Sequence, residues 1–131
     1  VALYWTIKSD EQLFEVVCDG LVAVDEVHAM LDVLVGSGAI GYRKLFDGSR
    51  GDTTMGALEI LNIGVRMRSL HVGAALGPLA VVIPDDKYLL LSRVLGMLAS
   101  GRRPMRIFSD PLKARRWLNS PAVRASPLAG C

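Results

Sequence analysis

The run Leu79-Ala80-Val81-Val82-Ile83 constrains this chain more than any other segment. It is short, apolar without alternation and β-branched at its last three positions, and it lies between Gly77-Pro78 and Pro84. A strand written this way has both faces covered, which belongs to a parallel sheet carrying helices on its two sides. The rest of the chain must therefore supply further strands and at least two layers of helix.

It does so in order. Leu3–Lys8 and Leu13–Cys18 are strand-like runs joined by Ser9-Asp10-Glu11-Gln12, which reads as a hairpin. From Asp25 to Val35, Val27, Met30, Leu31 and Leu34 fall at i, i+3, i+4 and i+7, the stripe of an amphipathic helix. Tyr42–Phe46 predicts a third strand closed by Asp47, and a helix follows over Thr54–His71. Asp85 can cap a helix reaching Ala99, and Met105–Phe108 predicts the last strand. Asp110-Pro111 is an N-cap followed by proline at the first helical position. The order ββαβαβαβα predicts an α/β fold: a five-stranded mixed sheet with covering helices. Residues 1–119 form one domain on this reading, and 120–131, aperiodic with two prolines, a flexible tail.

Composition narrows the function classes. At 131 residues, 51% hydrophobic and 21% charged, the chain is globular in type. Its longest apolar stretches fall short of the ~20 residues that span a bilayer, and Val1–Lys8 has no secretory leader pattern. Cys18 and Cys131 make no metal or redox motif, so a reduced, cytoplasmic setting is expected. Residues 1–41 set Lys8 against seven acids, whereas 102–131 set seven bases against Asp110. With 6% aromatic residues, a nucleic-acid surface is not expected.

Three segments carry candidate chemistry. Gly36-Ser37-Gly38-Ala39-Ile40-Gly41 has G-x-G-x-x-G spacing, but a helix runs in and a strand runs out, the reverse of a dinucleotide fingerprint. The stretch Asp47-Gly48-Ser49-Arg50-Gly51-Asp52-Thr53-Thr54 reads as a polar loop between strand and helix, where open α/β sheets place ligands. Ser49, Thr53 and Thr54 offer hydroxyls, Arg50 a guanidinium fork, and Asp47 and Asp52 carboxylates. No metal site and no cofactor are expected there, since two carboxylates lack further ligands. The helix 54–71 is apolar on two sides. Leu58, Leu61 and Val65 form one sector, and Ile60, Ile63, Met67 and Leu70 a second. One sector must face the sheet; the other, expected to be Ile60, Ile63, Met67 and Leu70, needs a neighbouring helix, a second copy or an apolar ligand.

Together with this order of elements, Lys44-Leu45-Phe46-Asp47-Gly48, the core strand Leu79–Ile83 and the closing Phe108-Ser109-Asp110-Pro111, Ala114 and Trp117-Leu118 resemble the SpoIIAA-like family. These small bacterial proteins are related to the STAS domains of anti-sigma-factor antagonists and sulfate transporters. The resemblance covers residues 3–119 and implies a regulatory or binding domain with no reaction of its own. Antagonist members carry a phosphorylated serine in an Asp-Ser-Ser/Ala-Gly-type motif at the start of the helix after the third strand. This chain reads Gly51-Asp52-Thr53-Thr54-Met55-Gly56 there, so the motif is missing. The plan is also similar to that of the CRAL-TRIO lipid carriers.

The leading expectation is a non-enzymatic, cytoplasmic domain that binds a partner protein or small ligand. It would use Asp47, Ser49, Arg50, Asp52, Thr53 and Thr54 and the outer face of the next helix, with homodimerisation one way to cover that face. The alternative is a carrier of a lipid or other apolar ligand. The third reading is a small hydrolase or isomerase using Asp47, Asp52 and His71.

Overall fold

In the computed structural model, which describes residues 2–69, 77–83 and 105–124, five strands form one sheet in the order β1-β2-β3-β4-β5. The strands are β1 (Leu3–Lys8), β2 (Leu13–Val22), β3 (Arg43–Thr53), β4 (Leu79–Val82) and β5 (Met105–Phe108). Helices among the described residues are α1 (Val24–Gly36), α2 (Ala57–Ser69), α3 (Pro111–Leu118) and α4 (Pro121–Arg124). β1 pairs antiparallel with β2 through a tight turn in which Gln12 adopts φ 50°, and every later neighbour is parallel. The chain is thus an α/β fold with a mixed five-stranded sheet, and no described helix is long and apolar enough to cross a membrane.

Alternation along the strands assigns two cores. Phe14, Val16 and Cys18 of β2 share one face with Phe46, Leu79 and Val81, and Val27, Met30, Leu31 and Leu34 of α1 and Ile63 of α2 pack above them. Leu13, Leu45, Ala80 and Val82 point to the other face, against Ala114 and Leu118 of α3 and Val123 of α4. All four residues of β4 are buried, as a central strand between two helical layers requires.

The helix ends follow local chemistry. The Glu26 carboxylate reaches back to the N–H of Ala23 (3.1 Å) and to that of Ala2 (2.8 Å), tying the start of α1 to the chain terminus. Those two N–H groups hold the Glu26 carboxyl below its usual range. At α3, Asp110 caps the helix by accepting from Leu112 N at 2.9 Å. Arg43, buried in β3, closes the other end: its Nη1 donates to Leu118 O (2.9 Å) and Asn119 Oδ1 (3.0 Å), and its Nη2 to Glu11 O (2.9 Å).

Three expectations change. First, residues 48–53 are not a loop. β3 runs on to Thr53 because β2 itself runs past Cys18 to Val22 and supplies partners from Asp19↔Arg50 to Val22↔Thr53. The register shifts between Val17 and Asp19, where β3 carries an extra residue, a β-bulge. Its glycines serve close approach rather than turning. A Cβ at Gly48 would lie 2.8 Å from Val82 O, and one at Gly51 would lie 2.6 Å from Cys18 Cβ. The connection shrinks to Thr54–Gly56, and α2 starts at Ala57. Second, strand order never reverses along the sheet, so there is no switch-point crevice at the end of β3. Third, residues 120–124 are not a loose tail; α4 forms there with Val123 buried. The helix expected over 85–99 lies outside the described residues.

Candidate functional site

Between the α1/α2 layer and the sheet lies a cavity of about 200 Å³, walled almost wholly by apolar side chains. Its floor is one face of the sheet, with Val16, Cys18, Phe46 and Val81. Met30 and Leu31 come from α1, and Ile60, Ile63 and Met67 from α2. Gly64, buried within α2 among them, adds no side chain of its own to fill the space. β3 lines the cavity from Lys44 at one end to Asp52 and Thr53 at the other, so its polar groups sit at the two ends of an apolar chamber.

Those polar groups have protein partners. Lys44 Nζ donates to Ile40 O (2.6 Å) and Tyr42 O (2.8 Å). Thr53 Oγ1 donates to Val22 O at 2.8 Å and accepts from Met55 N at 3.1 Å, which shapes the turn into α2. Asp52 Oδ1 accepts from Thr53 N at 2.7 Å.

Asp52 and Thr53 thus belong to the cavity rim, but the other residues expected to form a binding loop do not line it. Asp47 Oδ1 accepts from Ser49 N (3.0 Å) and Ser49 Oγ (2.6 Å), a local turn within the bulge. Arg50 is exposed and meets Asp19 at 3.6 Å. Thr54 is exposed in the connection to α2.

The apolar face named for a partner is turned inward. Ile60 and Ile63 are buried and Met67 packs against the core, whereas Leu58 and Val65 of the other sector are 70% and 55% exposed. A helix equally greasy on two sides gives no local reason for one to win; the packing of Ile63 and Met67 against the sheet core and α1 decides. Leu70 and His71 lie outside the described residues. Val16, Phe46, Val81 and Gly64 were missed as site residues. Their signal was present in the shared strand parity and in a glycine placed mid-helix, where it costs helix stability unless space is needed.

Cys18 is the one thiol on the cavity wall among the described residues. Burial pushes its thiol up to about 12, with the Asp47 and Glu26 charges adding to it, so it stays protonated at neutral pH. Among the described residues no group of three His, Cys, Asp or Glu side chains converges as a metal site. Comparison of the chain with family models, with curated proteins and with solved structures finds no match.

Proposed function

We propose that this chain is a non-enzymatic binding domain that holds a small apolar ligand in the cavity between the sheet and the α1/α2 layer. The cavity itself carries the reading: well-packed interiors leave few voids larger than a water, and this one is lined by side chains with nothing polar to offer along its length. Size narrows the ligand class. An apolar cavity of about 150 Å³ takes a benzene ring, so one of about 200 Å³ suits a ligand of roughly eight to ten heavy atoms. That is the scale of indole or a short branched acyl group, well below a full lipid. Of the two likenesses, the CRAL-TRIO-like one gains more support than the SpoIIAA-like one, because the hydroxyls and carboxylates of 47–53 are spent on local hydrogen bonds. The same spending, with a protonated Cys18, supports binding over turnover.

The test is titration of the full chain with indole and with toluene, followed by amide NMR and thermal melting. Shifts confined to residues around Val16, Phe46 and Ile63 and a rise in melting temperature are expected. Ile63→Phe, which fills the space, should fold and lose the response. Absence of any shift with both probes at millimolar concentration overturns the proposal.

A further inference from the structure

The second core face ends in a surface that the cavity does not explain. α3 buries Ala114 and Leu118 against the sheet. At 100° per residue that turns Leu112, Lys113 and Arg116 outward, and all three are exposed, Leu112 by 68%. Trp117 continues the same side toward β5, where its ring meets Phe108 at 5.9 Å between centroids. Arg106, exposed on β5, lays its guanidinium 5.3 Å from the Phe108 ring centroid. One band therefore runs Leu112, Arg116, Lys113, Trp117, Phe108, Arg106 from the helix onto the sheet edge.

Its charges are unbalanced. Among the described residues neither Lys113 nor Arg116 forms an ion pair, and Arg106 meets only the face of Phe108. Arg115, on the opposite flank of α3, is the one cation of the helix neutralised, by Glu15 at 3.2 Å. The nearest acid along the chain, Asp110, has Oδ1 engaged by Leu112 N.

We infer that this band docks on an anionic lipid bilayer. Charge complementarity selects an anionic partner. The exposed Leu112 and the half-buried Trp117 beside the cations then select a partner with an apolar layer beneath its charges. Interfacial segments are built this way, with basic groups at the phosphates and leucine and tryptophan at the acyl boundary. A nucleic-acid backbone would leave Leu112 without a role. The inference is independent of the cavity and stands whether or not a ligand binds there.

The test is flotation of the full chain with phosphatidylcholine vesicles with and without 30% phosphatidylserine, in 0.1 M and 0.5 M NaCl. Binding is expected to the anionic vesicles alone and to be lost in high salt. Each of Arg106→Gln, Lys113→Gln and Arg116→Gln should lower the partition coefficient about five-fold, and Leu112→Ala should lower it further, with melting temperatures unchanged. In a Trp5→Phe background, Trp117 emission should shift to the blue on binding. No binding to the anionic vesicles overturns the inference, as does binding untouched by the triple glutamine variant. Tighter binding of a single-stranded oligonucleotide through the same residues overturns it as well.

Discussion

Arg66 of α2 crosses to α1 and donates from Nη1 to His28 Nδ1 at 2.9 Å and to the His28 carbonyl at 3.1 Å. Because a guanidinium only donates, this contact requires a neutral imidazole with its lone pair at Nδ1 and its proton on Nε2. Nη2 adds an ion pair to Asp32, whose side chain is 71% exposed. The two helices that roof the cavity are thus joined by a polar bridge whose inner half is the stronger. Arg66→Met is expected to cost about 1–2 kcal/mol and Asp32→Ala about 0.5 kcal/mol or less, measured by urea unfolding at pH 7.5.

Glu15 supplies a pH dependence. Burial pushes its carboxyl up, but hydrogen bonds from Arg115 and Lys8 together outweigh this and hold it below the ordinary value of 4.5. A depressed carboxyl stabilises the fold above its unfolded pKa and loses that contribution as pH falls through the folded one. Glu15→Gln should therefore lower stability by about 1 kcal/mol or less at pH 6–7, with the gap to the parent closing below pH 4.5. A gap that widens in acid would contradict the arrangement.

The glycines of β3 make a sharper test. Gly51→Ala places a methyl 2.6 Å from Cys18 Cβ and should cost about 1–3 kcal/mol. Gly36→Ala, at the last position of α1, meets nothing within 4 Å and should be neutral or stabilising by up to about 1 kcal/mol. Adding Cys18→Gly to Gly51→Ala should recover part of the loss, which a double-mutant cycle will read.

Cys18 should behave as a buried thiol. With its pKa pushed up to about 12, a Cys131→Ser variant at pH 8 is expected to react with a disulfide reagent at the rate of unfolding, and at once in denaturant. An indole-saturated sample should react more slowly still, because Cys18 lines the cavity. Stoichiometric labelling of the native protein within seconds would place the thiol elsewhere.

Much of the scaffold was legible because it is written locally. The spacing of Val27, Met30, Leu31 and Leu34 names the buried stripe of α1, and all four are buried. Asp110-Pro111 marks the start of α3, and the unbroken Leu79–Val82 run marks a strand covered on both sides. The candidate site was half legible. Ile60, Ile63 and Met67 were singled out, but as an outward face, and Asp52 and Thr53 were singled out as loop residues.

Periodicity, caps and turn residues are properties of a few neighbouring positions, so the sequence by itself determined the five strands, α1, α2 and α3 and their order, though not the full extent of β2 and β3. Three things were left to the tertiary structure. The glycine-rich 48–53 segment became strand because the far end of β2 offered it hydrogen bonds. α2 settled on Ile60 and Ile63 rather than Leu58 and Val65. Arg43 found the end of a helix 75 residues away. Each depends on groups brought together by folding, whose interaction energy no local pattern contains.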